Sequence, residues 1–103
     1  MSALYRARPD HGLAWVTGAS SGIGSATALE LARRGVTVLA TARTQSTLDE
    51  LVTEAHGLSG QIIARAVDVI DVDAQNLVIA EVEAEHGPIV LAFLNAGIYW
   101  PMR

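Results

Sequence analysis

The stretch Thr17-Gly18-Ala19-Ser20-Ser21-Gly22-Ile23-Gly24 decides the fold of this 103-residue chain. It continues the apolar run Leu13–Thr17 and leads into a segment that favours a helix as far as Arg34. Glycines at such a junction tolerate positive φ, let an anion approach the backbone and allow close helix–strand packing. The stretch predicts a strand-to-helix turn that presents helix N–H groups to a diphosphate. The same glycines would also suit a plain tight turn.

Apolar runs alternate with helical patterns along the rest of the chain. Strands are predicted at Leu13–Thr17, Val36–Ala40, Gln61–Val67 and Ile89–Leu94. Helices are predicted at Gly22–Arg34, at Ser46–Ala55 and from a cap at Asp71 to Glu85. Such β-α-β alternation indicates a parallel sheet with helices on both faces.

The helical patterns also predict which side chains face inward. The inward residues are expected to be Ile23, Thr27 and Leu31 in the first helix, and Leu48, Leu51 and Val52 in the second. Trp15 is expected in the core beside the first strand. The glutamates Glu81, Glu83 and Glu85 are expected to form a solvated face of the third helix.

Composition excludes several classes of function. Half of the residues are apolar, which is enough for a core, and the net charge of −4 argues against nucleic acid as a partner. There is no cysteine, which excludes a disulfide scaffold and a thiolate nucleophile. The three histidines are far apart and show no ligand spacing, so no metal site is predicted. All seven basic residues are arginines, and a P-loop would need a lysine.

No targeting or membrane segment is expected. The first ten residues lack the apolar stretch of a signal peptide. The longest purely apolar run, Ile89–Leu94, is far shorter than the ~20 residues that cross a bilayer. We expect a cytoplasmic protein without a membrane partner.

Three segments together resemble the short-chain dehydrogenase/reductase (SDR) family. Thr17–Gly24 resembles the cofactor loop of that family, and Asn95-Ala96-Gly97 matches its Asn-Ala-Gly after the fourth strand. Asp68-Val69 matches the acidic residue, with its neighbour, that contacts adenine. The resemblance spans Leu13 to Ile98 and implies an NAD(P)-dependent oxidoreductase acting on a carbonyl/alcohol pair.

The resemblance implies a three-layer α/β fold of the Rossmann type. Such a doubly wound parallel sheet has the strand order 3-2-1-4-5-6, of which this chain supplies 3-2-1-4 and stops after the fourth strand. Residues 1–10 are expected to form a tail, and residues 11–103 a partial dinucleotide-binding domain.

The resemblance also implies cofactor contacts. The residues expected to hold the diphosphate are Gly18, Ser20, Ser21, Gly22, Ile23 and Gly24. Asp68 and Val69 would contact the adenine, although Asp68 could also be an N-cap or turn aspartate. Asn95, Ala96 and Gly97 would line the approach to the nicotinamide. Asn95 would also support the active site, and its alternative is a plain turn asparagine.

The end of the second strand indicates which cofactor is used. Ala42 stands where the family's NAD-type acid would be, and Arg43 follows it. An arginine beside a small neutral residue suits a 2′-phosphate, which it can grip through paired hydrogen bonds. The resemblance therefore implies NADP rather than NAD. The alternative for Arg43 is a solvent-exposed charge.

The family's catalytic residues have no counterpart in these 103 residues. The family uses a serine and a Tyr-x-x-x-Lys pair after the fourth strand. Tyr5 and Tyr99 are the only tyrosines. The position four residues after each, where the pattern requires lysine, holds Pro9 and Arg103 respectively. Catalysis by this chain alone is not expected, and whether it is an enzyme stays open.

Several interpretations of the chain remain open. It could be a fragment of a longer enzyme, a truncated product, a non-catalytic nucleotide-binding or interaction module, or a vestigial product. Because the fourth strand would lack a neighbour, self-association or a complementing chain is expected at its edge.

Overall fold

The computed structural model describes residues 12–68 and 70–94. The strands are β1 (Leu13–Thr17), β2 (Thr37–Ala42), β3 (Gln61–Ala66) and β4 (Ile89–Leu94). The helices are α1 (Gly22–Arg33), α2 (Gln45–Glu54) and α3 (Val72–His86). The predicted element order is confirmed. The largest difference is in β2, which continues past Ala40 to Ala42.

The four strands form one parallel sheet in the order β3-β2-β1-β4, as predicted. Thr17 at the end of β1 lies opposite Thr41 in β2 and Leu94 in β4. The carboxyl ends of these strands therefore meet at one edge of the sheet, where ligands of open α/β sheets bind. The β1–β4 register shifts once, so that Ala14 pairs with Leu91 while Leu13 pairs with Ile89.

Helices cover both faces of the sheet. The larger core lies under α1 and α2, and its buried residues include Val16, Leu31, Val38, Leu48 and Ile62. The smaller core lies under α3, where Leu13, Leu39 and Val82 are buried and Trp15, Ile63 and Val78 pack against them. Alternate residues along each strand point toward opposite faces of the sheet. Because helices cover both faces, consecutive strand residues are apolar.

The predicted inward face of α1 is wrong at its start. Ile23 is 67% exposed, and the buried residues of the helix are Gly24, Ala28, Leu31 and Ala32. The helix is turned so that Gly24 and Ala28 face the sheet, which lets α1 approach β1 closely. In α2, Leu48 and Leu51 are buried as predicted, but Val52 is 40% exposed.

The ends of α3 show one confirmed prediction and one that is wrong. Asp71 caps the helix, and its Oδ1 accepts a 3.1 Å hydrogen bond from the Ala74 N–H. Glu83 was predicted on a solvated face, but it is half-buried and its Oε2 accepts a 2.8 Å hydrogen bond from the Ile89 N–H. This carboxylate ties the end of α3 to the start of β4.

Candidate functional site

A tight turn joins β1 to α1. Gly18 has a φ of +60°, in the left-handed region that favours glycine. Its carbonyl oxygen accepts hydrogen bonds from the Ser21 N–H at 3.1 Å and the Ser21 hydroxyl at 2.9 Å. The turn reverses the chain so that α1 starts above the carboxyl end of β1.

Gly24 packs directly on this turn. A Cβ added at Gly24 would overlap the Gly18 carbonyl oxygen and lie 3.0 Å from its carbon. Real Cβ atoms are almost never found that close, so any larger residue would push α1 off the loop. A Cβ on Gly22, by contrast, would meet nothing within 4 Å. The two glycines therefore serve different needs, helix packing at Gly24 and an open surface at Gly22.

The N-terminus of α1 leaves backbone donors exposed. Ser21 caps the helix, and its Oγ accepts a 3.1 Å hydrogen bond from the Gly24 N–H. Among residues 12–68 and 70–94, no acceptor pairs with the N–H groups of Gly22 and Ile23. Exposed first-turn N–H groups together with the helix dipole attract phosphate groups. Ser20, Ser21 and Gly22 are all exposed beside them.

Arg43 lies just beyond the end of β2. Ala42, the last residue of the strand, is buried, whereas Arg43 is exposed. Within the described ranges Arg43 has no ion pair, while Arg33 and Arg34 both pair with Glu30. These two guanidinium groups, Arg34 first, lower the pKa of the Glu30 carboxyl through hydrogen bonds. Arg65, the other described arginine without an ion pair, lies within β3 and donates to the Ala64 carbonyl oxygen, so Arg43 is better placed to receive an anion at this edge.

The helix that follows Arg43 adds to the same anion site. Thr44 is the N-cap of α2, but its side chain makes no capping hydrogen bond to the helix. Backbone N–H groups at this helix end are therefore not satisfied by their cap residue. Arg43 and the start of α2 both favour negative charge at the carboxyl end of β2.

A backbone hydrogen bond holds the glycine turn against β2. The Ala19 N–H donates to the Thr41 carbonyl oxygen over 3.1 Å. Ser20 follows one end of this bond and Arg43 lies two residues beyond the other. The structure thus brings the predicted diphosphate loop and the predicted 2′-phosphate residue to the same edge of the sheet.

Asp68 reaches the same edge from β3. The strand end is fixed by the Val67 N–H, which donates to the Ala42 carbonyl oxygen at 2.9 Å. The Asp68 Oδ1 accepts a 3.1 Å hydrogen bond from the Ile70 N–H, so this carboxylate forms a turn before α3. Its predicted contact with adenine stays a prediction. The other predicted residues, Val69, Asn95, Ala96 and Gly97, lie outside the described residues.

Thr41 is a part of the site that the sequence patterns do not predict. This residue is 3% exposed, and its Oγ1 accepts a 3.1 Å hydrogen bond from the indole N–H of Trp15. Its backbone carbonyl holds the glycine turn, as described above. Thr41 is a hydroxyl residue in the otherwise apolar end of a buried strand. Because buried polar side chains need a hydrogen-bond partner, this pattern could have indicated a structural role for Thr41.

The described part of the chain has neither a metal-binding cluster nor a helix that could span a membrane. It contains no group of three or more histidine, aspartate or glutamate side chains placed to hold a metal ion. None of its helices has the length and apolar character to cross a membrane. A cavity of about 260 Å³ lies beside Val52, His56 and Gln61, at the amino end of β3 and away from the glycine turn.

Comparison with known proteins identifies the relatives of this chain. The short chain dehydrogenase family matches residues 13–103. The 3-oxoacyl-[acyl-carrier-protein] reductase FabG of Thermotoga maritima is 42% identical over 83 residues, which cover 81% of this chain and 34% of that protein. The chain spans about a third of the length of the curated relatives it matches.

Solved structures agree with the sequence relatives. A variant of the actinorhodin polyketide ketoreductase with NADPH is 32% identical, with a TM-score of 0.78 over 87% of this chain and 34% of that one. A metagenomic short-chain oxidoreductase in complex with NADP is 34% identical, with a TM-score of 0.73 over 79% of this chain and 37% of that one. The sequence match and the shared fold agree, and the chain belongs to the short chain dehydrogenase family.

Proposed function

We propose that this chain is the NADP-binding part of an oxidoreductase that interconverts a carbonyl and an alcohol. The observation that carries the proposal is the N-terminus of α1, where the N–H groups of Gly22 and Ile23 have no acceptor among the described residues. Such an end suits a diphosphate, which Gly18, Ser20, Ser21, Gly22, Ile23 and Gly24 would hold. The name of the Thermotoga maritima relative, a 3-oxoacyl reductase, supports carbonyl chemistry.

NADP is proposed over NAD because of the residues at the end of β2. A carboxylate at position 42 would accept hydrogen bonds from the ribose hydroxyls of NAD, but this chain has alanine there. Arg43 is exposed and has no ion pair in the described part, so its guanidinium is available to a 2′-phosphate. Two structural relatives contain NADPH or NADP, which supports the same choice.

The rest of the cofactor would extend along the carboxyl edge of the sheet. Asp68 and Val69 would contact the adenine, and Asn95, Ala96 and Gly97 would line the approach to the nicotinamide. These assignments rest on the family resemblance. The position of Asp68 at the end of β3, on the same edge as the glycine turn, supports the adenine contact.

We propose further that the 103-residue chain binds cofactor without turning over substrate. NADPH supplies a hydride when bound, and the carbonyl oxygen must then receive a proton from a nearby acid. In the reverse reaction the same group must take a proton from the alcohol, and a free tyrosine, with a pKa of about 10, is a poor base near neutrality unless a lysine lowers that pKa. This chain has no lysine, and the family's Tyr-x-x-x-Lys pattern does not occur in it.

A non-catalytic nucleotide-binding module would use the same loop without redox chemistry.

The proposed partners of the chain are the dinucleotide and a second polypeptide surface at the edge of β4. That surface would belong either to another copy or to a complementing chain, because β4 has only β1 as a neighbour among the described strands.

The proposal is tested by calorimetric titration of the 103-residue chain with NADPH and NADH, followed by an assay for carbonyl reduction. We expect NADPH to bind more tightly and neither cofactor to support turnover. A chain that is folded by circular dichroism but binds neither cofactor at about 1 mM would contradict the binding role. Turnover that survives controls for contaminating host reductases would contradict the inactive assignment.

A further inference from the structure

The strand β4 contains one extra residue relative to β1. Leu13 pairs with Ile89, but the next residue Ala14 pairs with Leu91, so Val90 forms a bulge in β4. Residues two apart in a regular strand point to the same face of the sheet. Here Ile89 packs on the smaller core and Leu91 packs on the larger one. The bulge therefore turns the rest of β4 over and decides which face each later side chain occupies.

The peptide unit just before this bulge is held from both sides. Its carbonyl oxygen, that of Pro88, accepts a 2.8 Å hydrogen bond from the Leu13 N–H in β1. Its N–H, that of Ile89, donates a 2.8 Å hydrogen bond to the Glu83 Oε2 in α3. Gly12 leaves room for this contact, because its φ is +119° and a Cβ there would overlap the Pro88 carbonyl oxygen. The start of β4 is thus fixed between β1 and α3.

The register that follows the bulge determines how β4 reaches the glycine turn. With the bulge in place, Leu94 lies opposite Thr17, the last residue before the turn. If β4 slipped to a register without the bulge, Phe93 would lie opposite Thr17 and every later residue would change face. Glu83 opposes such a slip, because the Ile89 N–H would have to leave its acceptor. A hydrogen bond at one end of the strand therefore bears on the site at the other end.

We propose that Glu83 is a positioning residue for the nicotinamide half of the cofactor, because it holds the bulge that sets the register of β4. The proposal rests on the proposed function, in which residues 95–97 follow β4 and line the approach to the nicotinamide. Glu83 acts from the opposite edge of the sheet, since the strand spans roughly 16 Å from Ile89 to Leu94. The adenosine half is assigned to the ends of β1, β2 and β3, so Glu83 should affect the two halves unequally.

Calorimetric titrations with NADPH and with 2′,5′-ADP, which lacks the nicotinamide half, separate the two effects. We expect Glu83→Ala to bind NADPH about tenfold more weakly than the parent, an ordinary size for coupling between sites, and to bind 2′,5′-ADP equally well. Glu83→Gln keeps an acceptor oxygen for the Ile89 N–H, so it should stay close to the parent with both ligands. The matched control Glu81→Ala removes an exposed glutamate from the same helix and should change neither affinity.

Hydrogen exchange on the parent chain keeps the test independent of how the variants fold. Coupling between two equilibria is reciprocal, so if the hydrogen bond from Ile89 to Glu83 favours NADPH, then NADPH favours that hydrogen bond equally. We expect saturating NADPH to slow exchange of the Ile89 amide by about tenfold. Saturating 2′,5′-ADP should leave the exchange rate of this amide unchanged, because it makes no contact on the nicotinamide side.

Several results would overturn the positioning role of Glu83. A folded Glu83→Ala protein that loses affinity for both ligands equally, or for neither, contradicts it, and so does a Glu83→Gln protein as weak as Glu83→Ala. If Glu83→Ala does not fold, the Ile89 amide of the parent decides, and exchange that does not respond to NADPH overturns the proposal. All of these results leave the proposed function standing as long as the parent binds 2′,5′-ADP. A folded parent that binds neither ligand contradicts the proposed function, and the positioning role with it.

Discussion

The indole Nε1 of Trp15 donates a 3.1 Å hydrogen bond to Oγ1 of Thr41, across the pair of central strands β1 and β2. Thr41 is buried, and its carbonyl oxygen accepts the Ala19 N–H from the glycine turn. One residue therefore connects a side chain of the smaller core to the loop proposed to bind the diphosphate. This connection makes the strand ends and the turn parts of the same packed unit.

Replacing Thr41 with valine should destabilise the chain by about 1 kcal/mol, because the shape is kept and one hydrogen bond is lost. For a domain of this size the change lowers Tm by roughly 4–8 °C. Thermal unfolding followed by circular dichroism measures it. Trp15→Phe and the double variant complete a cycle, in which a coupling energy near zero would show that the hydrogen bond contributes nothing.

Gly24→Ala should destabilise the chain strongly, by about 1–3 kcal/mol, because its Cβ would overlap the Gly18 carbonyl. Gly22→Ala is the matched control, since its Cβ has open space and alanine favours the helix. We expect Gly22→Ala to be as stable as the parent but to bind NADPH more weakly, because the methyl group stands where the diphosphate would approach. Equal stability of the two variants in urea unfolding would contradict the packing role of Gly24.

The unmodified chain should prefer 2′,5′-ADP over ADP-ribose or AMP. A charge-assisted hydrogen bond contributes ~1.5–3 kcal/mol, so we expect a preference on the order of 10- to 100-fold. Arg43→Ala should remove the preference. Ala42→Asp should reverse it, because the new carboxylate would repel the phosphate and accept hydrogen bonds from the ribose hydroxyls. Because Arg43 is exposed, added salt should weaken the preference. Calorimetric titrations at low and moderate salt measure these changes. Equal affinities of the parent for 2′,5′-ADP and ADP-ribose would show that Arg43 does not bind the 2′-phosphate.

Glu83→Ala should destabilise the chain by about 1–3 kcal/mol, because the Ile89 N–H would lose its acceptor at the start of β4. Glu83→Gln should recover much of this loss, since an amide oxygen can accept the same hydrogen bond. Urea unfolding of both variants compares them directly. If Glu83→Gln loses as much stability as Glu83→Ala, the negative charge matters rather than the acceptor.

Local patterns were sufficient for much of the fold. The glycine-rich stretch predicted the turn between β1 and α1, and the apolar runs predicted β1 and β4 with the bounds observed. Asp71 was recognised as a helix cap because its side chain needs only the N–H groups of its own first turn. Each of these features depends on residues close together in the chain.

The features that were missed depend on distant parts of the chain. Ile23, Thr27 and Leu31 lie on one side of the helix, which predicts that this side is buried. The side of α1 that faces the sheet is instead set by the close approach of Gly24 to the Gly18 carbonyl, and a hydropathy pattern does not reveal such a contact. The full length of β2 depends on pairing with β3, where Ala42 lies opposite Ala66. For Glu83, the partner is a backbone N–H six residues away, in the next strand.

The hydrogen bond between the Ala19 N–H and the Thr41 carbonyl has an evolutionary consequence. It joins the glycine turn to β2 through main-chain atoms alone, so the spacing of the two regions does not depend on which side chains follow at positions 42 and 43. On the proposed function, a lineage could exchange one nicotinamide cofactor for the other through substitutions at these two positions. No intermediate in that history would need to rebuild the loop, so cofactor choice could change while the diphosphate contacts stay in place.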